Sequence, residues 1–184
     1  MDTLIRDPYR EAYEAATGLT FEDFEAKRPP DIYYALERGE IDEDRYWREL
    51  RRAGISIDVV SFHLARVRGY RWLPGMRKIL VELAARTPLV IASNYPKWIS
   101  DIKQGFLKGL SVDVCSSYEL GVRKPAVEFF EKLCLRYRLE PSETVLVDDS
   151  LETVSNACGY GLKAIHYTDS DNLRHALTPL GLLS

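Results

Sequence analysis

The chain has 184 residues, 46% of them hydrophobic and 29% charged, and its 25 Lys and Arg against 28 Asp and Glu give a net charge of -3. This composition is typical of a globular protein with one core and excludes a disordered or collagen-like chain. Because basic residues do not outnumber acidic ones, nucleic acid is not expected as a partner.

Two further features indicate where the chain works. No apolar run is long enough to span a bilayer, and the polar N-terminal segment does not resemble a secretion signal. Three cysteines without C-x-x-C spacing predict reduced thiols rather than a disulfide framework or a zinc site. We therefore expect a cytoplasmic protein with no membrane partner.

The first third of the chain predicts helices only. Between Pro8 and about Ala65, apolar residues recur at spacings of three and four, without the alternation typical of strands. Gly18 and Gly39 mark helix ends, and Asp42 is placed to begin a helix. We expect the aromatic residues here to serve packing. The sequence thus predicts an all-helical cap at residues 14–72, inserted near the N-terminus of a core formed by residues 1–13 and 73–184.

From residue 73 onward, short apolar runs alternate with helical segments. The runs lie at residues 88–93, 112–115, 144–147 and 163–167. Amphipathic helices are predicted at about residues 76–86, 97–108, 126–137 and 151–158. This alternation is typical of β-α-β units, so we predict an α/β fold: a Rossmann-like parallel sheet covered by helices on both faces.

Polar residues follow three of the four runs. Ser93 and Asn94 end the first run, Lys124 lies in the loop after the second, and Asp148 and Asp149 end the third. Because the carboxyl ends of parallel strands share one edge of the sheet, these side chains are expected to meet there.

Each of these residues also has a purely structural explanation. Ser93 is a common strand-ending residue, and Lys124 alone would be read as a solvated lysine. Asp149 has the spacing of a helix N-cap with Glu152 at the third helical position. That explanation leaves out Asp148, and two adjacent carboxylates repel each other unless a cation such as Mg²⁺ lies between them.

Taken together, the polar residues resemble a known family. Ser93 at a strand end, Lys124-Pro125 after a glycine, and Val147-Asp148-Asp149-Ser150 before a helix look like motifs two, three and four of the haloacid dehalogenase-like hydrolases. The resemblance covers about residues 73–167, and the helical segment is similar to that superfamily's first-type cap. It implies a Mg²⁺-dependent phosphatase that acts on a small phosphate monoester through an aspartyl-phosphate.

The resemblance also implies a role for each residue. Ser93 and Lys124 would be catalytic, Ser93, Asn94 and Lys124 would bind the phosphoryl group, and Asp148 and Asp149 would hold Mg²⁺. A small phosphorylated substrate is the expected partner, while its identity and the oligomeric state stay open.

The family's first motif, Asp-x-Asp-x-Thr/Val after a strand, is only partly matched. Aligning Thr3 with the motif's threonine puts the nucleophilic Asp two residues before Met1 and Met1 at the second Asp, whereas a gapped register makes Asp2 the second Asp. In both registers the nucleophile and its central strand lie outside the sequence. We expect either a start upstream of Met1 or a degenerate relative whose neighbouring strands close up.

Four other functions fit parts of the sequence. A response-regulator receiver also places paired Asp, Thr or Ser, and Lys at strand ends, but its acidic pair comes first in the chain, whereas Asp148 and Asp149 come last. Gly159-Tyr160-Gly161-Leu162-Lys163-Ala164 matches a dinucleotide fingerprint, but it follows a helix and opens a strand, the reverse of what that fingerprint needs. A metal-independent 2-haloacid dehalogenase is disfavoured by the paired Asp148 and Asp149. A catalytically inactive binding or regulatory protein of the same family stays an alternative because the nucleophile lies outside the sequence.

Overall fold

Five helices follow one another in the first 69 residues of the chain. The structure, a computed structural model, describes residues 1–183. The helices are α1 (Tyr9–Thr17), α2 (Phe21–Lys27), α3 (Ile32–Glu37), α4 (Glu43–Arg52) and α5 (Val59–Gly69). Asp42 caps α4 by accepting a hydrogen bond from the Arg45 N–H, and Gly18 ends α1 in the left-handed conformation, with φ at 69°. The predicted helical stretch and these two boundaries are confirmed.

Aromatic side chains fill the centre of helices α1 to α5, residues 9–69, which we call the helical part. Tyr13, Phe24 and Phe62 are fully buried, and the Tyr13 ring stacks on Phe24 with centroids 4.1 Å apart. The Tyr13 and Tyr46 hydroxyls are 2.6 Å apart, so each phenol has a partner inside the core. The packing role predicted for the aromatic residues is thus seen at these positions.

A short antiparallel ribbon connects the helical part with the rest of the chain. β1 (Ile5–Arg6) pairs with β2 (Arg71–Trp72), with Ile5 opposite Trp72. The ribbon was not predicted, because two-residue strands are too short to show alternation. It brings the chain's entry into the helical part and its exit side by side. The division at residues 14 and 72 stays a prediction.

The rest of the chain alternates helices and strands, which confirms the predicted α/β fold. The elements are α6 (Met76–Ala84), β3 (Val90–Ser93), α7 (Ile99–Gly105), β4 (Asp113–Ser116), α8 (Ser117–Leu120), α9 (Val127–Tyr137), β5 (Val145–Asp148), α10 (Leu151–Tyr160), β6 (Lys163–His166) and α11 (Ser170–Leu177). All four predicted strands are present within two residues of the predicted bounds.

The strands form two parallel pairs rather than one continuous sheet. β3 pairs with β4, placing Ser93 beside Ser116, and β5 pairs with β6, placing Asp148 beside His166. Within residues 1–183 no strand bridges β3 and β5. These two strands have therefore not closed up, contrary to the picture of a degenerate relative with neighbouring strands in contact.

The gap between β3 and β5 is apolar. A cavity of about 170 Å³ is lined by residues 90–93 of β3 and 145–148 of β5, together with Leu4 and Ile5. A second cavity, also lined by both strands, lies among Leu133, Leu162 and Leu177. The apolar residues of β3 and β5 are only half-buried, unlike the core residues of a covered parallel sheet. The gap thus separates two strand edges that have no partner within the described chain.

Candidate active site

Lys124 and Asp148 meet at the carboxyl ends of β3 and β5. The Lys124 Nζ lies 2.5 Å from Asp148 Oδ2 and donates a second hydrogen bond to the Ala92 carbonyl oxygen at 3.0 Å. Both side chains are more than 90% buried. Asp148 Oδ1 also accepts a hydrogen bond from the Ser150 N–H at 3.0 Å. The ammonium group therefore spans both strand ends in a place where water screens its charge little.

Asn94 fixes the backbone of Lys124. The Lys124 N–H donates to Asn94 Oδ1 at 2.8 Å, and the Asn94 amide donates back to the Lys124 carbonyl oxygen at 2.9 Å. This reciprocal pair ties the loop that carries Lys124 to the end of β3. The predicted role of Asn94 in phosphate binding stays a prediction, and what the structure displays is an anchor for Lys124.

Ser93 is buried at the end of β3 and lines the same cavity as Lys124 and Asp148. Its Oγ accepts a hydrogen bond from the Met1 amino group at 3.3 Å. The first residue of the chain and three of the predicted site residues thus surround one cavity, as the shared strand edge predicts.

Asp149 has a different environment from Asp148. Its side chain is exposed, and its Oδ1 accepts a hydrogen bond from Thr3 Oγ1 at 2.7 Å. The expected capping role of Asp149 is wrong, because Ser150 is the N-cap of α10 and its Oγ accepts the Thr153 N–H at 3.2 Å. The Asp149 carboxylate is therefore not engaged by the helix backbone.

The two carboxylates offer a partial set of magnesium ligands. Among residues 1–183, no group of three or more His, Cys, Asp or Glu side chains is gathered to hold a metal ion. Asp148 and Asp149 supply hard oxygen atoms, and Mg²⁺ commonly takes one or two protein carboxylates while keeping several waters. The donor chemistry of this pair fits Mg²⁺, with one Asp148 oxygen already facing Lys124.

A hydrogen-bond network joins the helical part to the core and was not predicted from the sequence. The Tyr95 hydroxyl lies 3.3 Å from Asp7 Oδ1 and 2.6 Å from the Tyr70 hydroxyl, and Arg66 donates to Tyr70 at 2.6 Å and to Asp101 at 2.7 Å. Burial raises the pKa of Asp7 to about 6, although the Met1 amino group opposes the shift. Since these residues come from three distant segments, only the position of Tyr95 just after Asn94 could have pointed to the network.

Comparison with known proteins adds independent evidence. The chain matches the model of the haloacid dehalogenase-like hydrolases over residues 2–155. It is 29% identical over 185 residues to flavin mononucleotide hydrolase 1 of Arabidopsis thaliana, covering 99% of this chain and 75% of that protein. It is 23% identical over 175 residues to glyceraldehyde 3-phosphate phosphatase of Pyrococcus abyssi, covering 91% of this chain and 70% of that protein.

Solved structures show the same fold. A haloacid dehalogenase family enzyme from Bacteroides thetaiotaomicron, in complex with magnesium and inorganic phosphate, matches with a TM-score of 0.78 at 20% identity. The match covers 94% of this chain and 93% of that chain. Among the described residues, none of the helices combines the length and apolarity needed to cross a bilayer.

Proposed function

Because this chain belongs to the haloacid dehalogenase-like hydrolases, we propose that it carries the phosphate and magnesium site of a phosphatase for small phosphate monoesters. The family predicted from the sequence is thereby confirmed. The single observation that carries the proposal is the buried Lys124–Asp148 pair at the ends of β3 and β5, beside Ser93. The names of the two relatives support a phosphate monoester as the substrate class.

The chemistry assigned to these residues is the stabilisation of charge. Phosphoryl transfer builds negative charge on the phosphoryl oxygens, and fixed donors in a site shielded from water stabilise it most strongly. Lys124 would supply a buried ammonium group and Ser93 a hydroxyl donor. Asp148 and Asp149 would hold Mg²⁺, which when bound neutralises part of the phosphate charge.

The gap between β3 and β5 is where we place the nucleophile. One more parallel strand would satisfy both unpaired edges, and its last residue would lie beside Lys124 and Ser93. The Met1 amino group lies 3.3 Å from Ser93 Oγ, so a strand leading into Met1 would end beside Ser93. A carboxylate at this strand's end would attack phosphorus and break the ester P–O bond, forming an aspartyl-phosphate while the alcohol leaves with a proton taken from solvent. Water would then hydrolyse the aspartyl-phosphate to the free carboxylate and inorganic phosphate.

The activity test compares two chains. One consists of residues 1–184, and in the other these residues are preceded by an apolar strand with Asp two positions ahead of Met1. Hydrolysis of p-nitrophenyl phosphate is measured with Mg²⁺ and with EDTA. We expect metal-dependent turnover from the extended chain and only background from the other.

The matched control is an extension with Asn in place of Asp, which fills the gap without a nucleophile. Turnover by the unextended chain, abolished by Lys124→Ala, would show that the nucleophile lies among residues 1–184. A folded but inactive Asp extension would instead favour the non-catalytic relative.

The magnesium site is tested separately by calorimetric titration. We expect weak Mg²⁺ binding by the unextended chain, because only two carboxylates are present, and a further loss in Asp148→Asn. Asp44→Asn removes the same charge from an exposed position on α4 and is the control. Equal affinities for all three chains would remove Asp148 as a ligand.

A further inference from the structure

An ion pair with a buried carboxylate joins the helical part to the loop that carries Lys124. Arg123 Nε donates to Glu37 Oε2 at 2.9 Å, and the Glu37 side chain is 6% exposed, whereas the Arg123 side chain is 28% exposed. Glu37 ends α3, whereas Arg123 precedes Lys124 directly. The pair thus connects residues 86 positions apart in the sequence.

Three further contacts surround this pair. Ser117 Oγ donates to the Glu37 carbonyl oxygen at 2.7 Å, and the Arg123 guanidinium lies 4.0 Å from the centroid of the Tyr34 ring. Gly39 packs so closely on Tyr118 that an added Cβ would lie 3.0 Å from the Tyr118 carbonyl oxygen. α3 is therefore fitted to α8 and to the following loop by polar, stacking and steric contacts at once.

The Glu37–Arg123 pair, together with the contacts around it, forms a joint between α3 and the loop that carries Lys124. This joint lies directly next to Lys124 in the sequence. Arg123 is its covalent neighbour, and Asn94 holds the Lys124 backbone through two hydrogen bonds. We propose that Glu37 is a positioning residue: through Arg123 it clamps α3 onto the Lys124 loop and keeps the ammonium group at the strand ends. The inference deepens the proposed function, since it rests on Lys124 serving the phosphate site.

The free-energy cost of separating Glu37 from Arg123 is consistent with a positioning role for the pair. Removing Arg123 leaves the buried Glu37 carboxylate without its opposite charge, which costs more than losing a pair whose carboxylate is exposed. Burial raises the pKa of Glu37, while Arg123 acts in the opposite direction and favours the carboxylate. Arg123 therefore favours the ionised form of the buried Glu37. The nearby pair Arg38–Glu40, whose Glu40 side chain is 53% exposed, provides a comparison in the same segment.

The test measures how accessible the Lys124 ammonium group is to a reagent, and it does not require catalysis. An amine-reactive reagent is applied under native conditions, and labelling of the buried Lys124 is measured by mass spectrometry relative to the exposed Lys78. We expect roughly fivefold faster labelling of Lys124 in Glu37→Gln and in Arg123→Gln, and no larger effect in the double variant, because both changes remove one interaction.

Two controls separate the clamp from general stability. Glu40→Gln breaks the Arg38–Glu40 pair and should leave Lys124 labelling unchanged. Leu50→Ala removes a fully buried side chain of the helical part, so it should lower stability without speeding native-state labelling. If Glu37→Gln does not fold, Tyr34→Leu, which removes the ring beneath Arg123, should give a smaller increase of the same sign.

Unchanged labelling in both single variants, or additive effects in the double variant, would overturn the clamp. In the Asp-extended chain, Glu37→Gln should lower kcat more than it raises KM. Labelling is measured on residues 1–184 without any extension. If the extended chain has no phosphatase activity, the labelling result still stands, so failure of the clamp and failure of the proposed function are distinguishable.

Discussion

At the scale of single residues, Asp7 is a carboxyl group whose environment moves its pKa towards neutral pH. It lies just after β1, accepts a hydrogen bond from Tyr95 and has a pKa raised by burial to about 6. In the unfolded chain its pKa would be near 3.8. The folded chain therefore holds this proton over a pH range in which the unfolded chain has released it.

The raised pKa of Asp7 makes stability fall as pH rises. Asp7 contributes most below about pH 4, and this contribution is lost as pH passes through about 6. In Asp7→Asn, which keeps a carbonyl acceptor for Tyr95, we expect a free energy of unfolding higher than that of the unaltered chain by up to roughly 2–3 kcal/mol at pH 7, and little changed at pH 4.

Urea unfolding at pH 4, 5, 6 and 7 measures the effect as the difference between the two chains, which cancels the titration of groups common to both. Asp44→Asn serves as the exposed control. A difference between Asp7→Asn and the unaltered chain that stays constant across these pH values would rule out titration of Asp7 as the cause.

At the scale of elements, the start of α10 shows where pattern alone chose the wrong residue. Asp149 and Ser150 are adjacent and both are common N-caps, so the sequence does not separate them. In the structure Asp148 Oδ1 accepts the Ser150 N–H, which holds the turn after β5 and lets α10 begin at Leu151. The hydrogen bond from the Ser150 N–H to Asp148, at the end of β5, therefore determines that Ser150 is the N-cap.

This assignment predicts different effects for the two neighbours. Ser150→Ala should lower the free energy of unfolding by about 1 kcal/mol, since the Thr153 N–H loses its acceptor. Asp149→Ala removes only an exposed contact with Thr3 and should cost clearly less. Urea denaturation of both variants in the absence of Mg²⁺ measures their free energies of unfolding. A larger decrease in Asp149→Ala than in Ser150→Ala would show that Asp149 is the N-cap.

At the scale of the whole molecule, local pattern predicted the α/β alternation and the meeting of Lys124 with Asp148. Both follow from rules that hold for any parallel strands. The Glu37–Arg123 joint and the β1–β2 ribbon could not be predicted in this way. The joint brings together one pair of residues from distant segments, and the ribbon strands have two residues each, so neither leaves a periodic signal in the sequence.

The gap between β3 and β5 predicts how the whole molecule responds when it is filled. Its apolar strand residues are half-buried, and unpaired strand edges are prone to pair with other chains. The extension carrying Asn should bury these edges, so we expect a higher urea midpoint, a larger m value and weaker fluorescence of a dye that binds apolar surfaces. The unextended chain should also associate more readily as its concentration rises, as sedimentation would show. Equal midpoints, m values and dye binding for the two chains would mean that the added strand does not enter the gap, and the site proposed for the nucleophile would have to be abandoned.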